Sequence, residues 1–190
     1  MLYKSESYKS NLPNSFTNKG CEVKEIKHLH ILRHGKASWE YPELEDIDRP
    51  LLPKGVNNVM QVAELFHEKY NPPDLIISSS AARAIHTALI MARLLNVSPH
   101  KVRIDERLYE TDSSTVLEVV ESVEAKISNL LIVGHNPIFT RFVNLFLPEY
   151  LENLPTSGLV TLTFKIKDWS IINSIPIKSD ITLPPSKRLI

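Results

Sequence analysis

The sequence predicts an α/β fold: a single-domain three-layer α/β/α sandwich around a mostly parallel sheet with an antiparallel edge. Three observations predict it. Strand-like and helix-like segments alternate from about residue 28 to residue 147. The strand-like segments are short apolar runs of the kind that sheets bury. Late in the chain two β-rich segments follow each other with only a short connection, which suits an antiparallel pair.

Each element has its own signal. His28-Leu29-His30-Ile31-Leu32 reads as the first strand. Pro53 to Tyr70 reads as a helix with Val56, Val59, Met60, Ala63 and Phe66 on one face. Asp74 to Ser78 is a second strand. Ala82 to Leu95 is a helix with Ile85, Ala88, Leu89 and Ala92 at core spacing, stopped by Asn96. Val102 to Asp105 is a short third strand. Thr115 and Glu118 fit a capping box for a helix carrying Val116, Val119, Val120 and Val123. Asn129 to Val133 is a fourth strand. Asn136 suits an N-cap and Pro137 a first helical position, starting a helix through about Leu147. Val160 to Lys165 and Trp169 to Asn173 form the expected antiparallel pair.

The ends are different in kind. Residues 1–24 are polar and read as a leader, 25–175 as the domain, and 176–190, with Pro176, Pro184 and Pro185, as a tail without regular structure. No apolar stretch is long enough for a signal peptide or a membrane span. Lys+Arg and Asp+Glu both number 22, so bulk charge favours neither nucleic acid nor an anionic membrane as partner. Cys21 is the only cysteine, which rules out an internal disulfide and fits a free thiol in a cytoplasmic protein. With no charged patch or apolar stripe left over, the expected state is a monomer.

The loops at the strand ends carry the chemistry. After the first strand come Arg33, His34, Gly35 and Lys36; after the second, Ser78-Ser79-Ser80-Ala81-Ala82-Arg83; after the third, Glu106, Tyr109 and Glu110; after the fourth, Gly134, His135 and Asn136. Parallel strands would open all four loops on one rim, where such sheets place ligands. Two guanidinium groups can hold a phosphate dianion through paired charged hydrogen bonds. A neutral imidazole can attack phosphorus and carry the phosphoryl group, and a second can stabilise the charge that develops. A helix starting at Asn136 would offer N–H groups to the same anion. Gly35 and Gly134 would let backbone approach it or adopt positive φ. His28 and His30 point to one face of their strand, but further ligands are missing, so no metal is expected. Ser157 sits either on the pocket rim or in a simple turn. Lys36 and Lys54 are expected to be solvated, with the steering of an anion as the alternative.

Leu32-Arg33-His34-Gly35, Ser78-Ser79-Ser80-Ala81-Ala82-Arg83-Ala84 and Val133-Gly134-His135-Asn136-Pro137, in that order, resemble the histidine phosphatase superfamily. Asp46-Ile47-Asp48-Arg49-Pro50-Leu51, Pro155-Thr156-Ser157-Gly158 and the small size narrow the resemblance to the SixA-type phosphohistidine phosphatase branch. It spans about His28 to Asn173. The resemblance implies a phosphoglycerate-mutase-like fold and a metal-independent phosphatase without cofactor. His34 would be the nucleophile, and Arg33, Arg83 and His135 the phosphate pocket, with Gly35 and Asn136 beside it. Without a large inserted cap the site would be open and suited to a phosphorylated protein side chain, protein phosphohistidine above all. Phosphate or vanadate would be a site ligand.

The chain departs from that pattern in two places. Leu52 stands where many relatives carry a polar cap for the next helix. The acid is also irregular in this branch: Glu110 is the best-placed proton donor, Asp48 the second, and Glu106 a surface residue. A P–N bond is labile enough to need no strong acid. Two other functions fit the same residues: a phosphatase for small phosphorylated molecules such as phosphoglycerate or sugar phosphates, and a phosphate-binding module without turnover.

Overall fold

A computed structural model describes residues 25–40, 42–172 and 176–184. The expected leader, with Cys21, lies outside the described residues. Six strands form one sheet: β1 (Glu25–Arg33), β2 (Leu75–Ser78), β3 (Val102–Ile104), β4 (Asn129–Gly134), β5 (Leu159–Ile166) and β6 (Lys178–Thr182). Their order is β3-β2-β4-β1-β5-β6. The first four strands are parallel, β5 runs antiparallel to β1, and β6 runs antiparallel to β5. The mostly parallel sheet with an antiparallel edge matches the predicted fold class.

Four helices cover the two faces: α1 (Pro53–Lys69), α2 (Ala82–Leu94), α3 (Ser113–Glu121) and α4 (Ile138–Val143). Alternate residues of each strand enter opposite cores, because successive side chains point to opposite faces. Leu32, Ile76, Leu131 and Val133 pack with Val59, Phe66, Ala88 and Met91 of α1 and α2. Leu29, Ile31, Ile77, Leu130 and Ile132 pack with Val116, Val120, Phe139 and Phe142 of α3 and α4. Parallel strands buried on both faces must be apolar throughout, which is why β4 reads Asn-Leu-Leu-Ile-Val-Gly.

Both large helices are rotated from the expected faces. In α1, Met60 is 40% exposed while Val62 is fully buried. Gly55 sets this rotation: a Cβ there would lie within about 3 Å of the Lys36 backbone, so the glycine must face the loop after β1. In α2, Leu89 is 46% exposed, whereas Thr87 and Met91 are buried. The Thr87 hydroxyl accepts from Gly35 N at 3.0 Å and donates to the Arg83 carbonyl at 2.7 Å, which holds this face toward β1. Leu52 leaves α1 without a side-chain cap, yet the helix starts on Pro53 as expected; proline's fixed φ suits the first helical position.

Four local expectations are corrected. The cap of α3 is Asp112, whose carboxylate accepts from Thr115 N at 2.9 Å, so Thr115 is three residues inside and no capping box forms. The segment after β4 is not a helix from Asn136 to Leu147: Asn136-Pro137 is a cis peptide bond and α4 covers only Ile138–Val143. Beyond it the Asn144 amide bonds both the N–H and the carbonyl of Leu151, turning the chain back. Trp169–Ile171 is a 3-10 turn, not a strand. Trp169 is fully buried and donates from Nε1 to the Ile127 carbonyl at 2.9 Å, which ties it under the sheet; Asn173, the end of that expected strand, lies outside the described residues. The partner of β5 is instead β6, inside the segment expected to be an unstructured tail. Pro176 and Pro184 flank β6 rather than interrupt it, which is where an edge strand tolerates proline. Among the described residues no helix is long and apolar enough to cross a membrane.

Candidate active site

Strand register assembles the site. Arg33 on β1 pairs with Gly134 on β4, and the next residue of each chain segment is a histidine. The His34 N–H donates to the Gly134 carbonyl at 3.0 Å. The rings of His34 and His135 consequently lie 4.9 Å apart, centroid to centroid. Helix α1 leaves β1 for one face of the sheet and α4 leaves β4 for the other. A crevice opens between two strands whose connections diverge in this way.

His34 is 9% exposed. Its Nδ1 is 2.7 Å from the Gly35 carbonyl, which can only accept, so Nδ1 carries the proton and Nε2 keeps a lone pair. Burial, with Arg83 and Arg33 nearby, outweighs the Gly35 hydrogen bond and pushes its pKa down to about 4. Burial, then His34 and Arg83, brings His135 to about 3. Both imidazoles are therefore neutral at pH 7. His135 Nε2 is in hydrogen-bond contact with the Ser79 hydroxyl at 2.8 Å, and Ser79 is held where it is because its N–H donates to Val133 at 2.9 Å. Nδ1 of His135 is buried without a hydrogen-bond partner among the described residues.

The two arginines enter from different elements. Arg33 is the last residue of β1; its Nη1 donates to the Leu154 carbonyl at 2.8 Å, while Nε is buried without a partner among the described residues. Arg83 lies in the first turn of α2, 8% exposed, and donates through Nη2 to Asp46 Oδ2 at 2.7 Å and through Nη1 to the Asp46 carbonyl. Asp46 also accepts from the Tyr109 hydroxyl at 3.0 Å. Burial raises its pKa, but Arg83, Tyr109 and Arg49 together outweigh this and hold the carboxyl below its ordinary range.

Sequence reasoning finds Asp46 only as part of a motif and prefers Asp48 of the same turn as an acid. The 3-10 turn Asp46–Asp48 instead presents Asp46 to Arg83 and leaves Asp48 outside the cavity lining. Glu110 is exposed, at φ 50°, and lines a second pocket of about 270 Å³ with Tyr109, His135 and Asn136. Glu106 is exposed outside both pockets.

Other predicted contributors turn out to hold the frame. Asn136 does not cap a helix: its Nδ2 donates to Asn153 Oδ1 at 2.8 Å and Leu154 O at 2.9 Å, tying the same loop as Arg33. Two N–H groups in the first turn of α4 are taken within the protein, Phe139 N by the His135 carbonyl and Thr140 N by Asn136 Oδ1. No glycine among the described residues has positive φ. Gly134 is small because a Cβ would come 2.6 Å from the Phe139 ring, and the Gly35 N–H is already spent on Thr87. Ser157 is fully buried at φ 60°, and its N–H is shared by the Arg33 and His34 carbonyls at 3.1 Å. The turn thus clamps the backbone of His34, while Thr156 beside it lines the cavity.

The cavity above His34 measures about 420 Å³ and is lined by Arg33, Lys36, Arg49, Lys54 and Arg83 against a single carboxylate, Asp46. Its mouth carries Trp39, 75% exposed, with the Arg49 guanidinium 3.6 Å from the ring centroid. Lys36 and Lys54 are exposed as expected, and both line this cavity. His28 and His30 lie farther back along β1, bonded to Thr163 at 3.0 Å and Thr161 at 2.9 Å. Among the described residues no group of three or more His, Cys, Asp or Glu side chains is placed to hold a metal.

This geometry has relatives. An uncharacterized protein of Mycobacterium tuberculosis is 29% identical over 142 residues, 69% of this chain and 85% of its own length. A structure from Agrobacterium tumefaciens, assigned as the phosphohistidine phosphatase SixA, superposes with a TM-score of 0.70 at 28% identity, covering 83% of this chain and 98% of that one. A SixA assignment from Nakamurella multipartitia gives a TM-score of 0.73 at 22% identity, over 85% and 98% of the two chains. The protein histidine phosphatase SixA complexed with tungstate gives 0.68 at 20% identity, over 84% and 97%. The family model of the histidine phosphatase superfamily, branch 1, matches residues 29–127, more than half of the sequence, and the chain belongs to that family.

Proposed function

We propose that this protein is a metal-independent phosphatase whose nucleophile is His34 and whose preferred substrate is phosphohistidine on another protein. The observation that carries the proposal is the state of His34: Nδ1 is locked on the Gly35 carbonyl, Nε2 is unprotonated, and two guanidinium groups and a second neutral imidazole surround it. A neutral, oriented imidazole ringed by fixed positive charge is suited to attack at phosphorus.

In the first step Nε2 of His34 forms a bond to phosphorus while the P–N bond to the substrate imidazole breaks. The departing imidazole takes a proton from solvent and leaves neutral. In the second step water attacks phosphorus, the bond to Nε2 breaks, and phosphate leaves. Arg33 and Arg83 hold the equatorial oxygens, and His135 meets the charge that accumulates in the transition state. Arg83 must exchange Asp46 for the phosphoryl oxygens, one anion for another. Tungstate bound by a SixA relative supports an oxyanion as the ligand of such a pocket. Glu110, in the pocket beside His135, is the proton donor for leaving groups that need one.

A second reading is a small-molecule phosphomonoesterase. It is favoured by the modest, cationic cavity of about 420 Å³. One experiment separates these readings. Hydrolysis of a phosphohistidine peptide and of p-nitrophenyl phosphate is followed in EDTA, with wild type beside His34→Ala. The expected result is faster turnover of the peptide, a phosphoprotein labile to acid and stable to alkali in wild type, and a loss of about 10⁴-fold or more in the variant. Faster ester turnover moves the substrate to the second reading, and undiminished turnover in the variant removes His34 as nucleophile.

A further inference from the structure

We infer that the cavity above His34 holds a second anion-binding subsite, formed by Lys36, Arg49 and Lys54 at the start of α1, and that the enzyme selects phosphorylated groups carrying a second negative charge beside the phosphoryl group. The inference rests on the reading of His34, Arg33 and Arg83 as the phosphoryl site.

The charge count points there first. Five cationic side chains line the cavity and one carboxylate, Asp46, faces them. Arg33 and Arg83 suffice for one phosphoryl dianion. Lys36, Arg49 and Lys54 are in excess of that need, and they come from the β1–α1 connection and the first turn of α1, away from the His135 side.

The helix start is the second observation. The N-terminus of a helix carries partial positive charge, so acidic residues normally occupy its first turn. Helix α1, 17 residues long, has none there and places Lys54 instead; helix α2, 13 residues long, also has none and places Arg83. Neither helix has a side chain capping its first N–H groups. Lys54 and Arg83, each in the first turn of a helix that has no acidic residue there, thus line one small cavity. Such an arrangement costs free energy in the empty protein unless anions complete it.

Arg49 supplies the third. Its guanidinium is pressed flat on Trp39 at 3.6 Å, and its Nε and Nη1 are buried without a hydrogen-bond partner among the described residues. Asp46 Oδ1 stands 3.5 Å from Nε in a loose ion pair, Asp46 Oδ2 is taken by Arg83 and Tyr109, and Nη1 has no acceptor among the described residues. A planar donor fixed by stacking, with unused N–H groups, is prepared for a carboxylate or phosphate. On a protein substrate the second anion would be an acidic side chain next to the phosphohistidine; on a small molecule it would be a carboxylate or a second phosphate.

The test uses two phosphohistidine peptides that differ only in Glu or Gln beside the phosphohistidine, and phenyl phosphate against carboxyphenyl phosphate. Wild type is compared with Lys54→Gln and Arg49→Gln. The expected result is a preference of at least about tenfold in kcat/KM for the acidic member of a pair, falling toward unity in both variants and in high salt. The pair showing the larger preference identifies protein or small molecule as the source of the second anion. Equal rates on both members, or a preference that survives both substitutions, overturns the subsite. Calorimetric binding of pyrophosphate against orthophosphate asks the same question without turnover. Tighter pyrophosphate binding lost in Lys54→Gln supports the subsite even where the phosphatase reading fails, and equal affinities overturn it even where that reading holds. Lys54 is exposed at a helix start, so its replacement leaves a folded protein to measure.

Discussion

Strand β1 carries two histidines, His28 and His30, and ends one residue before a third, His34. All three rings have lowered pKa values, and for each the first cause is burial. Their surroundings nevertheless differ completely. His30 is fully buried against Phe66 and Tyr70, with ring centroids 4.7 and 5.1 Å away, and its Nδ1 meets the Thr161 hydroxyl. His34 faces His135 at 4.9 Å and lines a crevice together with Arg33 and Arg83. A depressed pKa thus marks burial in both places. What separates a packing histidine from a reactive one is the charge aimed at it and an open path to its free nitrogen.

The sharpest way to break this comparison is to delete one ring from each region. For His135→Ala we expect kcat to fall about 10²–10³-fold, the scale of losing one transition-state hydrogen bond, with the melting temperature little changed. For His30→Ala we expect turnover within a few-fold of wild type and a stability loss of about 2–4 kcal/mol, since a fully packed ring leaves a cavity. Steady-state kinetics and thermal unfolding on the same two variants check both halves. The reverse pattern would mean that the two regions have been assigned the wrong way round.

A smaller effect concerns what the two regions share. His30, His34 and His135 have folded pKa values of about 3, 4 and 3, against 6.5 for an unperturbed imidazole. Between those limits the unfolded chain binds protons that the native state refuses. Stability from these groups is therefore complete above about pH 6.5 and is lost as pH falls toward 3–4. Each contributes a slope of up to about 1.4 kcal/mol per pH unit within that window. Chemical denaturation from pH 7 to pH 4 should show the decline, and His30→Ala should flatten part of it without altering the pH dependence of turnover. A decline of unchanged slope in that variant would contradict the neutral state of His30.

The site is more legible in the sequence than the frame that holds it. Arg33, His34, Arg83 and His135 can be read because strand ends and helix starts are marked in sequence, and parallel strands bring those ends to one rim. The register Arg33 to Gly134 then makes neighbours of two histidines a hundred residues apart. Asp46 escapes notice as a site residue because the choice between it and Asp48 depends on which way a three-residue 3-10 turn faces. The rotations of α1 and α2 are hidden for a related reason. Hydrophobic periodicity favours Met60 and Leu89, but Gly55 and Thr87, a small and a polar residue, face inward because the loop after β1 needs them. The edge strand β6 is masked by the prolines that bracket it.

Glu110 offers the smallest effect and the finest discrimination. Its side chain is exposed beside His135, in the pocket next to the cationic cavity. A carboxyl there matters only when the leaving group cannot depart without a proton. An alkoxide needs that proton; the imidazole of phosphohistidine is a good leaving group that picks one up readily. For Glu110→Gln we therefore expect less than about a tenfold loss on an alkyl phosphate and no measurable loss on a phosphohistidine peptide. In the free protein Asp46 is held ionised by Arg83, Tyr109 and Arg49, so it brings no proton to the incoming substrate. Equal losses on the two substrates would show that Glu110 acts on binding or folding rather than on the departing group. No loss on either would show that solvent supplies the proton, as an open crevice permits.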